Sequence, residues 1–249
     1  MTRSVWLPVI GAFVVFVLAW KAIVVLTGLP EYILPAPEIV GQRFVEAWLD
    51  GTVWPHFLTT MVEIAIGFIV GTVLALVAGY GLARSDLFER LASPYLVAAQ
   101  AVPILALAPL LVIWFGSGLL SKVVICSLIV FFPVAIATMV GIRSVDPRLL
   151  ELGRSLRATK RQILTTLEIP AALPSIFGGV RVGATLAVVG ALVGEWAGAS
   201  TGLGVLINLA KGSLFDIPLM FATVLTIALV GIALYLTVVV VERRLVGAR

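Results

Sequence analysis

Six stretches of this chain stay apolar for long enough to cross a bilayer: residues 5–26, 57–83, 91–115, 122–142, 176–199 and 217–241. A helix rises 1.5 Å per residue, so about 20 apolar residues span the hydrocarbon layer. A water-soluble globule has nowhere to put six such segments. It would need polar surface to cover them, and only 12% of the residues are charged, against about 25% in an ordinary soluble domain. A soluble enzyme is therefore excluded. Disorder is excluded for the opposite reason, since disordered chains are poor in large apolar residues, and here 61% are hydrophobic. The expected fold is an all-α polytopic membrane protein with six transmembrane helices.

The first stretch follows Arg3 as a secretory signal would, but Ala19-Trp20-Lys21 supplies no small-x-small cleavage site. It reads as a true span, with Lys21 snorkelling from its far end. Lys and Arg placement sets orientation. With the N-terminus in the cytoplasm, Lys21, Arg43, Lys122 and Lys211 fall outside and the remaining 13 of the 17 basic residues fall inside. The acids share no such bias, so the net charge of +4 is a topology signal and not a nucleic-acid footprint. Both termini are expected in the cytoplasm. The chain divides into a first transmembrane helix (1–30), an outer interfacial segment (31–56) and a core (57–249) that carries a cytoplasmic loop at 143–174. In the outer segment Pro37 can start a short helix whose Ile39, Val40, Phe44, Ala47 and Trp48 share one side. That helix either lies in the interface or is a plain connector.

Gly67-x-x-x-Gly71, Gly179-x-x-x-Gly183 and the four-residue repeat Gly190, Gly194, Gly198 allow close helix approach, and packing accounts for most of them. Pro94, Pro103, Pro109 and Pro133 interrupt two spans, as helices lining a pathway often are. Ionisable groups at membrane depth are few. Glu63 reads as solvated near the outer surface. Glu195 is either a pathway group or a packed helix-end residue, and Arg181 lies near the inner end of its span. His56 is the lone histidine and Cys126 the lone cysteine, so no metal site, disulfide or nucleophilic triad is expected.

The 143–174 loop is the longest polar stretch. Asp146 with Pro147 behind it opens one helix carrying Leu149, Leu150 and Leu156. Thr159-Lys160-Arg161-Gln162 is a capping box opening a second, whose Ile163, Leu164 and Leu167 form an apolar face and which Pro170 is expected to end. Two short capped amphipathic helices fit a groove on a partner protein. A basic loop lying on anionic lipid fits the same residues.

Glu151-Leu-Gly-Arg-Ser-Leu-Arg157-Ala-Thr-Lys-Arg-Gln-Ile-Leu-Thr-Thr-Leu167-Glu-Ile169-Pro170 resembles the EAA loop of binding-protein-dependent ABC transporter permeases. That pattern reads Glu-Ala-Ala, three residues, Gly, nine residues, Ile-x-Leu-Pro. Glu151, the spacing and Ile169-Pro170 are kept; Leu152-Gly153 replaces Ala-Ala, and Arg157 stands where the family usually has Gly. Leu34-Pro-Ala-Pro37, the 101–116 stretch and Gly194-Glu-Trp-Ala-Gly-Ala-Ser-Thr-Gly-Leu-Gly204 are similar to the nitrate/sulfonate/taurine and thiamine-precursor/riboflavin branch.

The resemblance implies the fold of a type I ABC importer permease in the bacterial cytoplasmic (inner) membrane. It implies two copies of a cytoplasmic ABC ATPase, a second and identical permease subunit, and an extracytoplasmic substrate-binding protein, with lipid around the spans and no nucleic acid. ATPase coupling would fall to Glu151, Gly153, Leu156, Arg157, Ala158, Thr159, Gln162, Ile163, Leu164, Leu167, Ile169 and Pro170. The substrate pathway would include Gln100, Pro103, Trp114, Glu195, Trp196 and Gly198. No Gly-x-x-x-x-Gly-Lys-[Ser/Thr] phosphate loop is present. The chain is thus not an enzyme and holds no cofactor; ATP and magnesium belong to the partner ATPase.

The competing class is an ion-coupled secondary carrier, which would bury more charge than Glu195 alone supplies. A membrane scaffold sits poorly with the proline-broken spans. For the substrate, one basic group at depth is too few for an anion pathway. A vitamin-type heterocycle, a thiamine-precursor pyrimidine or riboflavin, is expected, with sulfonate, taurine or nitrate as the alternative.

Overall fold

The computed structural model describes residues 6–247 apart from 86, 88, 89, 92, 93, 96, 97, 100 and 101. Every element in it is helical, as hydrocarbon demands of a backbone that must satisfy its own hydrogen bonds. The elements are α1 (Trp6–Thr27), α2 (Pro37–Leu49), α3 (Val53–Ala83), α4 (Ile104–Phe115), α5 (Leu119–Arg143), α6 (Pro147–Ser155), α7 (Lys160–Ile163), a π-helical turn (Leu164–Glu168), α8 (Ile169–Gly198), α9 (Leu203–Lys211) and α10 (Ile217–Val246). Ile10–Thr27, Val53–Ala83, Leu119–Arg143, Lys160–Gly198 and Ile217–Val246 are long and apolar enough to cross a membrane. They match five of the six expected spans. The third, 91–115, runs through residues outside the description; its described helix, α4, has 12 residues.

Three helices make the centre. α5 lies between α3, which runs parallel to it, and α8, which runs antiparallel. Close approach is what the glycine spacing provides. A Cβ on Gly67 would fall 2.5 Å from Cys126 Cβ, one on Gly71 2.7 Å from Ser127 O, one on Gly179 2.9 Å from Pro133 O, and one on Gly190 2.8 Å from Cys126 Cα. Around that seam Ile64, Ala75, Cys126, Val130, Val134, Ala187 and Ala191 are buried. Lipid gives no hydrophobic drive to helix association, so shape complementarity of this kind holds the bundle. α10 closes the other side of α8, where Arg181 Nε lies 3.4 Å from Glu242 Oε2.

α1 is peripheral, with no buried residue in its apolar window. It touches the rest through the Lys21–Glu38 ion pair and the Trp20–Phe221 ring contact at 5.9 Å. The hydrogen bond from Lys21 holds the exposed Glu38 carboxyl below the usual carboxylate range. α2 starts at Pro37 as expected, and its Arg43 Nε donates to Asp216 Oδ2 at 2.8 Å, tying it to the start of α10. Trp48 stacks edge-on against Trp54 at 5.0 Å and Phe57 at 5.2 Å. This is an aromatic belt, as found at a membrane–water boundary. α3 begins at Val53, so the last four residues assigned to the interfacial segment are already helix.

Candidate functional site

Two places concentrate polar side chains: the α6–α8 loop at one end of the bundle, and the α8–α9 turn at the other.

At the loop, Asp146 caps α6 by accepting from the Arg148 N–H at 2.8 Å. Thr159 and Gln162 form the reciprocal capping box of α7. Between them the chain reverses in a Schellman motif. The Ala158 N–H donates to Gly153 O and the Arg157 N–H to Arg154 O, with Arg157 in the left-handed region at φ +57°. That conformation explains why glycine usually stands there in the family resembled, and it comes at a cost of about 1–2 kcal/mol for an L-residue. Gly153 is buried, and a Cβ on it would meet Leu167 Cδ1 at 3.2 Å and Ile163 Cγ1 at 3.4 Å. α6 therefore crosses directly over the second helix.

Pro170 does not end that helix. The Ile169 N–H bonds back five residues to Leu164 O, and the π turn so formed leads straight into α8 with Pro170 in its first turn. Proline removes one N–H and crowds the carbonyl four residues back; one wide turn relieves the clash without breaking the rod. The loop and the span are thus one mechanical piece. The guanidinium of Arg84, just past α3, grips Glu168 in the π turn at 2.9 and 2.5 Å and lies over the Tyr80 ring.

Of the residues expected to couple, Glu151, Leu156, Arg157, Thr159 and Gln162 are exposed, as is Ile169 at the foot of α8. Ala158, Ile163, Leu164, Leu167 and Pro170 are half-buried, inside the loop's own packing. The free apolar face belongs to α6, where Leu149, Leu152 and Leu156 are 45%, 55% and 74% exposed. Leu152 was not among the expected residues, although the spacing i, i+3, i+7 marks it with the other two.

At the opposite end, Glu195 is 1% exposed. Its carboxylate accepts from the Thr60 hydroxyl and from the Gly204 N–H. Thr60 accepts in turn from the Leu203 N–H at 2.8 Å, and the Gly202 N–H donates to His56 Nδ1 at 3.1 Å. The Trp196 indole N–H donates to Gly204 O at 3.0 Å. His56, Thr60 and Glu195 thus accept from the first three N–H groups at the open N-terminus of α9. Glu63 is not solvated: it is 2% exposed, its carboxyl faces Glu195, and buried Lys122 lies near both. α9 folds back over this end of α3, which local sequence could not disclose. Lys122 also donates to Ser117 O.

The other expected pathway residues are scattered. Gln100 lies outside the described residues. Pro103 precedes α4, and Trp114 on α4 is 69% exposed. Gly198 ends α8, where a Cβ would stand 3.1 Å from Val112 of α4. No ring contact joins Trp114 and Trp196 among the described residues.

Residues 67–247 match the family described as binding-protein-dependent transport system inner membrane component. The chain belongs to that family. The permease is 43% identical over 249 residues to the riboflavin transport system permease protein RibX of Chloroflexus aurantiacus, covering 99% of this chain and 92% of that one. It is 36% identical over 220 residues to the formylaminopyrimidine transport permease protein ThiX of Halalkalibacterium halodurans, covering 88% and 87%. A solved structure of the MetNI methionine ABC transporter in inward-facing conformation shares the fold, with TM-score 0.66, 19% identity and coverage of 79% and 96%. The permease is therefore a multi-pass inner-membrane subunit of an ABC importer, a transport component and not an enzyme. Such an importer works with an ATPase and a substrate-binding protein. The ion-coupled carrier is thereby set aside.

Proposed function

We propose that this permease passes a vitamin-type heterocycle, riboflavin or a thiamine-precursor pyrimidine, from its binding protein into the cytoplasm. The observation that carries this reading is electrostatic. Two cations lie inside the helix bundle among the described residues, and both are engaged: Lys122 is buried beside Glu63 and Glu195, and Arg181 faces Glu242. An oxyanion would meet no free positive group at depth among the described residues, whereas a neutral ring needs none. The relatives that transport riboflavin and formylaminopyrimidine favour the same side. Aliphatic sulfonate and taurine permeases, at 33% and 28% identity, keep sulfonate, taurine or nitrate as the second reading.

In this reading both termini and the α6–α7 loop face the cytoplasm, two identical permease chains pair, and two ATPase copies bind ATP and magnesium. Each ATPase receives one loop, with Glu151 and the exposed leucines of α6 at the contact and Gly153 packing α6 onto the second helix. Because the loop runs unbroken through the π turn into α8, ATPase closure would move α8 as a lever. Its far end carries Glu195, Trp196 and Gly198 beside the pathway.

Calorimetric titration of the cognate binding protein with riboflavin, formylaminopyrimidine, taurine, an alkanesulfonate and nitrate tests the substrate. Tight binding of a heterocycle alone is expected, and tight binding of a sulfonate or nitrate overturns it.

A further inference from the structure

Two cavities meet at the loop end of the bundle, and they differ sharply in chemistry. The first, about 630 Å³, opens between the end of α3 and the α6–α7 corner, with Arg154, Lys160 and Arg161 on its wall beside Arg84. The second, about 440 Å³, runs between α3, α5 and α8 and is walled by Leu76, Leu173, Phe177 and Val180. Tyr80 and Leu164 line both, so the two lie side by side across those side chains.

The charge in the first cavity is unbalanced. Glu168 is the acid in its wall, and both of its oxygens are taken by Arg84. Arg154, Lys160 and Arg161 make no ion pair among the described residues. Arg154, Lys160 and Arg161 are exposed on one wall, and the positive field they share favours an anion. The second cavity is as unsuited to water as the first is to hydrocarbon. A water molecule needs two to four polar partners, and of the three hydroxyls on its wall Thr138 is spent on Val134 O at 2.7 Å and Tyr80 is held by Arg84, which leaves Thr72. Tyr80 stands between the two, where an amphipathic ring is most stable.

We propose that the two cavities are one site for an anionic glycerophospholipid, its phosphate among Arg154, Lys160 and Arg161 and one acyl chain behind Tyr80 and Leu164. A zwitterionic lipid would bring its own cation into the same basic chamber and bind more weakly. The bound lipid would brace the loop where it enters the membrane, against the π turn. This holds whatever solute the permease carries.

The test is native mass spectrometry of the full-length permease in detergent, titrated with phosphatidylglycerol and with phosphatidylcholine of identical chains. Phosphatidylglycerol is expected to be retained preferentially. Lys160→Gln and Arg161→Gln should each weaken its binding about fivefold, the value of one basic residue near an anionic lipid surface. Leu76→Trp and Val180→Trp fill the apolar half without changing charge, and each should lower retention too; a thermal melt in lipid-free detergent identifies any variant that fails to fold. Equal retention of the two lipids, or indifference to all four substitutions, overturns the proposal. Displacement by millimolar inorganic phosphate would make this a phosphate site instead, and loss of the lipid on assembly with the ATPase would give the basic wall to that interface.

Discussion

Arg84 and Glu168, 84 residues apart, form a two-pronged ion pair that fastens the end of α3 to the π turn below α8. The Glu168 side chain is 4% exposed and that of Arg84 42%. Removing the arginine leaves a nearly buried carboxylate without its counter-ion. A fully buried pair broken this way costs about 3–5 kcal/mol; water around the exposed partner reduces the figure, and about 1–3 kcal/mol is expected for Arg84→Ala. Arg84→Lys keeps the charge but loses the fork, and should fall between. Amide hydrogen exchange across 160–170 reads the effect, and unchanged exchange in Arg84→Ala would refute it.

Arg157 holds a left-handed backbone conformation at the corner between α6 and α7. Arg157→Gly removes the Cβ strain at the cost of greater freedom in the unfolded chain, leaving a net gain of about 0.5–1 kcal/mol. Arg157→Val, β-branched and intolerant of positive φ, should lose at least as much. Thermal unfolding in detergent should rank the three Gly, Arg, Val; Arg above Gly would show that the side chain of Arg157 makes contacts outweighing its backbone, and Val above Arg would refute the strain.

Gly79 and Gly81 sit two residues apart on α3 and should respond oppositely. A Cβ on Gly79 would lie 2.5 Å from Ala135 O, a backbone atom that cannot yield without moving α5, while a Cβ on Gly81 meets nothing within 4 Å. Gly79→Ala should lower stability by about 1–3 kcal/mol, and Gly81→Ala should be neutral or raise it by up to about 1 kcal/mol. Equal melting temperatures for the two variants would contradict the packing described for α3 and α5.

The exposed leucines of α6 make the proposed coupling role measurable without disturbing the loop. Leu152→Ala and Leu156→Ala remove side chains that touch solvent in the single chain, so folding should be unaffected. ATPase activity of the assembled importer should nonetheless lose its dependence on loaded binding protein. Ile163→Ala should instead lower loop stability by about 1–3 kcal/mol, because Ile163 packs over Gly153. Normal coupling in Leu152→Ala/Leu156→Ala would remove α6 from the contact.

What local chemistry dictates was legible in the sequence. Apolar runs placed five of the six spans, Asp146 and the Thr159–Gln162 box placed the loop helices, and the glycine repeats marked the α5 seam. What depends on contacts distant in sequence was not. Pro170 reads as a terminator on its own; only the neighbouring π turn lets the helix pass it. Glu63 reads as solvated until Glu195 of α8 and Lys122 of α5 are brought beside it, and nothing near Arg84 in the sequence announces Glu168. Ile163 and Leu164 look like a docking face on a helical wheel, yet α6 covers the first and the basic and apolar cavities meet at the second.

Glu195 separates two roles that the sequence left open. Its carboxylate satisfies Thr60 and Gly204 at the start of α9, so a purely structural role and a pathway role make different predictions. Glu195→Leu strands the Gly204 N–H and part of the Thr60 hydroxyl in a buried setting, at about 1–3 kcal/mol for each unsatisfied group. Glu195→Gln can still accept from Gly204 and present a donor towards Thr60, so stability should fall by less than about 1 kcal/mol. If Glu195 serves only to hold α9, transport by Glu195→Gln should stay near the wild-type rate. If it also meets the solute, uptake by Glu195→Gln should drop tenfold or more while its melting temperature hardly moves. Proteoliposome uptake measured beside thermal unfolding distinguishes the two, and the pathway role proposed for Glu195 predicts the second result.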